Sequence, residues 1–189
     1  MTLCGVNVQP LKILTKWLEE NASNMHYLFS PQDLRALFPR MSDNSFKTLL
    51  SRTAKLGYLK RVGRGLYAYT KAMRSDGLLL FHAAAYLRSH EFNYLSLETV
   101  LSSVGVISQI PVNWISVMSS GRSNTISCGE FGTIEFIHTA QKPSQVMEEL
   151  TYDPNYGMWC ASVRLSLRDM KKTHRKMDLI NWDIANELI

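Results

Sequence analysis

Cysteine is scarce in this chain: three residues among 189, Cys4, Cys128 and Cys160, far apart and odd in number. Such usage fits reduced thiols rather than a disulfide framework. Long apolar runs are missing as well. The longest, Gly77 to Leu87, is broken by His82 and falls short of the ~18 residues that a membrane span needs. No basic stretch followed by an apolar core opens the sequence, so neither a secretory leader nor a membrane partner is expected, and the cytoplasm is the expected compartment. Repeats and low-complexity segments are absent. The glycine pair Gly63-Arg64-Gly65 lacks the lysine and hydroxyl residue that would follow in a phosphate-binding loop. His26, His82, His90, His138 and His174 are scattered, without the paired spacing of a zinc site. Neither a metal nor a cofactor is therefore expected, and no catalytic residue is assigned.

What is present is a charge asymmetry. Residues 1–76 hold 12 Lys and Arg against 5 Asp and Glu, a surplus of +7, whereas residues 77–189 hold 9 against 11. A basic front and a mildly acidic back suggest two domains with different partners, 1–74 and 75–189, meeting near Lys71–Gly77. An apolar fraction of 46% is enough for both to bury cores.

The basic part carries an ordered set of signals. Pro10 suits a first helical turn, and Leu11, Leu14, Trp17 and Leu18 form a stripe ending near Asn21. Ser30-Pro31-Gln32-Asp33 opens a second helix with a cap, a proline and an acid at N3, and Leu34, Leu37 and Phe38 are its apolar face until Pro39. After a short turn, Ser42 caps a third helix whose inner face is Phe46, Leu49, Leu50 and Ala54. Its other face, Asn44, Lys47, Thr48, Ser51, Arg52 and Lys55, is polar and basic without an acid. Gly57 stops the helix, and two β-prone runs, Tyr58–Val62 and Leu66–Tyr69, flank the turn at Arg64. Helix, helix, turn, helix and hairpin is the order of a winged helix-turn-helix, and the coincidence of this order with the basic surplus points to DNA. Asn44, Lys47, Ser51 and Arg52, with Thr48 among them, are expected to face the major groove. Lys55, Lys60, Arg61 and Arg64 are expected on phosphates or in the minor groove. The competing reading is a protein-interaction module with a solvated basic face.

The second half reads as a small mixed or antiparallel sheet covered by helices, making the whole α+β. Asp76 is placed to cap a helix from Gly77 to about Glu91 that is apolar nearly all round, as a helix packed between layers would be. His82 in it has Tyr86, not a second ligand, at i+4, and reads as a satisfied histidine. Ser96 should cap a short helix to Val104, Ile107–Pro111 is read as a loop, and strands are expected over Asn113–Met118, Asn124–Cys128 and Thr133–Thr139. A short helix follows Pro143, and Tyr152–Cys160 reads as loop or edge strand. A last long helix is expected from about Ala161 to Met177, with a further turn over Asp183–Leu188. Val163, Leu167, Met170, His174 and Met177 would be its seam, and Arg164, Arg168, Lys171 and Arg175 a basic stripe beside it, either a solvated rim or a second polyanion or partner surface. A two-metal nuclease could be drawn from Glu130, Glu135 and Asp153, though carboxylates at strand ends are usually solvated.

Several stretches of this half resemble the AbiEi family, antitoxins of bacterial type IV toxin–antitoxin systems known from abortive phage infection. They are Tyr94-Leu95-Ser96-Leu97-Glu98, Gly105-Val106-Ile107, Ile110-Pro111 and Gly132-Thr133-Ile134-Glu135-Phe136-Ile137-His138. Leu165-Ser166-Leu167-Arg168-Asp169 and Arg175-Lys176-Met177-Asp178-Leu179-Ile180 are similar to that family's C-terminal helical segment. The family also carries an N-terminal winged helix, so the resemblance spans nearly the whole chain. It implies a winged helix that binds inverted repeats in its own promoter, as a monomer pairing on DNA, and represses the operon. It also implies a C-terminal domain that counteracts a nucleotidyltransferase toxin without a stable complex. A metal-dependent nuclease and a stand-alone winged-helix regulator are the alternatives.

Overall fold

The computed structural model describes residues 9–108 and 113–189, so Cys4 and the Ile110-Pro111 stretch lie outside the described residues. The chain divides into two compact units, residues 1–75 and 76–189, and the fold is α+β.

In the first unit, α1 spans Pro10–Asn21, with Leu14 and Leu18 buried. Strand β1, Leu28–Phe29, follows, then α2, Pro31–Arg35, α3, Asp43–Lys55, and the hairpin strands β2, Leu59–Gly63, and β3, Leu66–Tyr69. The three strands form one antiparallel sheet in the order β1-β3-β2. This is the element order of a winged helix-turn-helix. Strand β1 was illegible in the sequence because two residues carry no alternation; it pairs Leu28 with Ala68 and Phe29 with Tyr67. At α2 the capping box is complete: Ser30 Oγ accepts from the Asp33 amide at 3.2 Å, and the Ser30 amide donates to Asp33 Oδ2 at 2.7 Å. The helix is only five residues long, and Phe38 reaches the core through the turn after it.

Helix α3 is capped as expected, Ser42 Oγ accepting from the Ser45 amide at 3.3 Å. Its inner face is Phe46, Leu49, Leu50 and Thr53. Thr53 joins the expected residues at the centre of this face, because 46, 49, 50 and 53 share one side of a 3.6-residue spiral, and Ala54 is half-buried against the same core. The Thr53 hydroxyl is satisfied by donating to Leu49 O at 2.8 Å. Gly57 ends the helix in the left-handed region at φ +80°, where a side chain would be strained.

The turn between α2 and α3 is held by Arg35. Its guanidinium donates to the carbonyls of Phe38 and Met41, reaches Asp43 Oδ1 at 3.4 Å, and lies 5.2 Å from the centroid of the Phe46 ring. Two carbonyls of the turn thus find a charged donor. Replacing Arg35 by methionine keeps the stem but removes these bonds. The expected loss is about 2 kcal/mol, seen as faster amide exchange at Met41 and in the first turn of α3. Unchanged exchange there would show that the clamp contributes nothing.

The second unit is built on a six-stranded mixed sheet in the order β6-β7-β5-β4-β9-β8. Its strands are β4, Asn93–Leu95; β5, Trp114–Ser119; β6, Asn124–Ser127; β7, Thr133–His138; β8, Leu150–Asp153; and β9, Met158–Ala161. Strands β5 and β7 run parallel, as do β4 and β9, and the other neighbours are antiparallel. Helix α4, Leu79–Leu87, lies against β5 and β7. It starts two residues later than expected, after Asp76 Oδ1 accepts from the Leu78 amide at 3.1 Å. The other helices are α5, Leu97–Ser103; α6, Pro143–Val146; α7, Val163–Lys172; and α8, Trp182–Glu187. Side chains from α5, α6, α7 and α8 share one core with Tyr94 and Met118.

Two expectations for this unit are corrected. Helix α7 stops at Lys172 instead of Met177. His174 adopts φ +55°, and the Arg175 amide returns to Met170 O at 2.9 Å while the His174 amide bonds Lys171 O at 3.2 Å. These two bonds form a Schellman ending with histidine where glycine is usual, so His174 and Met177 leave the helical seam. Ser96 does precede α5, but its hydroxyl does not cap the helix. It donates instead to Asp169 Oδ2 at 2.8 Å.

Asp169 is fully buried. It also accepts from Tyr94 OH at 3.1 Å and from Gln141 Nε2 at 3.0 Å, and Lys172 Nζ donates to Gln141 Oε1 at 2.9 Å. Leu97, next to Ser96, is buried and adopts φ +59°. Burial lifts the Asp169 carboxyl above its ordinary value, against the pull of the bonds from Ser96, Tyr94 and Gln141 and the charge of Lys172. The folded chain therefore holds this proton over a range in which the unfolded chain has lost it, and stability falls as pH rises through that range. Asp169→Asn removes the titration. The melting temperature of the variant relative to the parent should rise with pH from about 4 until Asp169 has ionised in the folded protein. A difference that is flat with pH would contradict this.

Candidate nucleic-acid interface

Because α3 buries Phe46, Leu49, Leu50 and Thr53, its opposite side is turned to solvent. Asn44, Lys47, Thr48, Ser51, Arg52 and Lys55 are all exposed. Among the described residues, Asn44, Lys47, Ser51, Arg52 and Lys55 have side chains engaged in no hydrogen bond or ion pair. Thr48 Oγ1 donates to Asn44 O at 2.9 Å, which uses its proton and leaves its lone pairs and methyl group. Asp43, the one acid within α3, sits at the helix start beside Arg35.

The hairpin supplies the second part. Strand β2 runs against β3 with Arg61 opposite Tyr67 and Gly63 opposite Leu66, and a bulge lies between Arg61 and Gly63. Gly65, at φ +74°, lets the strands turn with Arg64 at the tip, exposed and without a side-chain partner. Arg61 is exposed, its Nε lying 3.4 Å from Gly63 O, and Lys60 is half-buried. The nine residues expected to meet DNA thus fall on two elements of one unit. A tenth residue, the cation Arg40, was not singled out: it is exposed in the turn just before α3. Its position between two helices of a helix-turn-helix was the available signal.

A groove of about 320 Å³ runs between the start of α1 and α3, lined by Pro10, Leu11, Met41, Ser45, Thr48 and Arg52 among others. Arg52 therefore leans to the α1 side of its helix.

The cations of the second unit are differently used. Arg168 pairs with Glu149 at 2.9 Å, and Arg175 pairs with Glu135 at 2.6 Å and Glu98 at 3.7 Å. Arg164 donates to Ile189 O at 2.9 Å. Arg175 is not on α7 at all, so the basic stripe Arg164, Arg168, Lys171 and Arg175 does not form as a free surface; Lys171 alone of the four is exposed without a partner among the described residues. Burial near carboxylates turns cations into internal pairs, which sequence spacing does not reveal.

The carboxylates drawn as a nuclease site do not converge. Glu135 on β7 accepts from Trp114 Nε1 and Ser116 Oγ and is held by Arg175. Asp153 is on β8, with β5, β4 and β9 between, so about 19 Å of sheet separates the two. Glu130 is in the 3-10 turn before β7. Among the described residues no group of His, Cys, Asp and Glu is arranged to hold a metal ion. Burial raises both described thiols, Cys128 and Cys160, the latter to about 11 with Asp153 adding to the effect, so neither is a ready nucleophile. His82 Nε2 lies 2.7 Å from Asn155 O, a satisfied ring as expected. No helix among the described residues is long and apolar enough to cross a membrane.

The chain thus comprises a unit of helices and a three-stranded antiparallel sheet and a unit built on a six-stranded mixed sheet. No family model and no curated protein matches the chain. Among solved structures it is similar to the crystal structure of the RV2827C protein from Mycobacterium tuberculosis, with a TM-score of 0.54 and 11% identity, over 85% of this chain and 59% of that one. The chain thus spans less than two thirds of that protein's length, and the likeness is one of fold.

Proposed function

We propose that this chain is a cytoplasmic, DNA-binding autorepressor whose first unit reads promoter repeats and whose second unit acts as a type IV antitoxin. The observation that supports DNA binding most is the face of α3: six exposed polar or basic side chains, no acid among them, and no internal partner for its cations. Cations left free on one helix, next to an arginine-tipped ribbon, are what a polyanion needs, since phosphate contacts supply most of the affinity. The unit spans two elements that can enter a major groove and its flank. The antitoxin half rests on the resemblance of residues 94–138 and 165–180 to the AbiEi family.

A gel shift on the duplex upstream of the chain's own gene tests the first half. Binding at low salt is expected, and Arg64→Ala should weaken it on promoter and random duplex alike, reducing the slope of log K against log salt by about 0.9 for one lost phosphate. Absence of any shift at low salt would remove the reading. Co-expression with a toxin encoded beside the gene tests the second half. Residues 76–189 alone, once shown to melt cooperatively, should still rescue growth but no longer shift the promoter. Repression without rescue by the full chain would leave a stand-alone regulator.

A further inference from the structure

Resting on the DNA-binding reading, we infer that the side chains that read base edges are the short ones, Asn44, Thr48 and Ser51, and that Lys47 and Arg52 are clamps on the two flanking phosphate backbones. Each residue of an α-helix turns about 100° from the last. The four buried residues Phe46, Leu49, Leu50 and Thr53 fix the direction of the core. Measured from the line pointing directly away from it, Asn44 and Lys55 lie within about 10°, Thr48 and Ser51 within about 30°, and Lys47 and Arg52 about 70° to either side. Arg52's place in the groove beside α1 agrees with that flank position.

A helix in the major groove presents its outermost line to the base edges and its flanks to the walls, which are the sugar-phosphate strands. Two cations placed symmetrically about the outer line therefore meet one strand each. Lys55 shares the outer line but is the last residue of α3, about 16 Å along the axis from Asn44, where the helix leaves the groove. The N-terminal turns that do the reading carry Asn44, Thr48 and Ser51.

Their chemistry narrows what is read. The Asn44 amide, with both its donor and its acceptor unspent, matches the N6 and N7 edge of adenine. Thr48 has given its proton to Asn44 O, so it offers a methyl group suited to the thymine C5 methyl. The site recognised is then built on A·T pairs, with no guanine required by Arg52.

The test is selection of duplexes from a randomised library by the full chain, followed by titration of the selected site, its single-base variants and a random duplex. Asn44→Ala should abolish discrimination at one A·T pair, a loss of roughly 5- to 150-fold on the selected site, with little change on random duplex. Lys47→Ala and Arg52→Ala should weaken selected and random duplexes by the same factor and reduce the salt slope by about 0.9 each. If Arg52→Ala instead relaxes preference at a G·C pair, or Asn44→Ala weakens every duplex equally, the assignment of readers is overturned while DNA binding stands. Failure of the parent chain to bind any duplex at low salt would overturn both.

Discussion

The rotation of α3 about its own axis is the constraint from which the rest of the first unit follows. Four side chains, Phe46, Leu49, Leu50 and Thr53, are drawn into a core made with Leu14, Leu18, Phe29, Leu34 and Tyr69. Burying them is worth roughly 1.5–3 kcal/mol for each large apolar group, far more than any exposed contact of the opposite face. That opposite face therefore has no freedom to choose its orientation. What it presents to solvent is decided by what the inner face must hide. Arg35 then fixes the other coordinate, the entry of the chain into α3, by giving the carbonyls of Phe38 and Met41 a charged donor.

The two units treat positive charge in opposite ways. In the second, Arg168 and Arg175 are drawn into partly buried pairs with Glu149, Glu98 and Glu135, and they act as internal ties. In the first, ion pairs such as Lys16 with Glu20, Lys71 with Glu19 and Arg35 with Asp43 lie off the α3 face. Lys47, Arg52, Lys55 and Arg64 are left with water, at little cost to stability because exposed ion pairs are worth only about 0–1 kcal/mol. Charge that is free in the folded state is charge available to a partner. The difference in use matters more than the difference in net charge between the halves.

Much of the first unit was legible because its signals are local. Ser42, the 46–49–50 spacing, Gly57 and the glycines around Arg64 each act within a few residues, and the strands and caps appear where those signals place them. What escaped was decided at a distance. Strand β1 is a strand only because β3 lies beside it. Ser96 has a cap's position, yet a buried carboxylate more than seventy residues on takes its hydroxyl. Helix α7 ends on a histidine in a glycine conformation, which no local propensity announces. The same distinction governs the candidate sites. The α3 face is a property of one helix and could be read; the fate of Arg168 and Arg175 depended on glutamates from other elements and could not.

The buried Asp169 shows how the sheet unit converts a polar group into an architectural one. Taking a carboxylate out of water is costly unless its lone pairs are used. Here Tyr94 and Ser96 come from β4 and the turn after it, Gln141 from the stretch after β7, and Asp169 itself from α7. Three separate parts of the chain must therefore be in register before the cost is offset. An apolar residue at 169 would need no donors and would release that requirement. The carboxylate penalises every register but one, because in the others it would stay buried without donors. Asp169 thus ties α7 to β4 and to the stretch after β7, and it does so through the same serine that the local sequence would have assigned to capping α5.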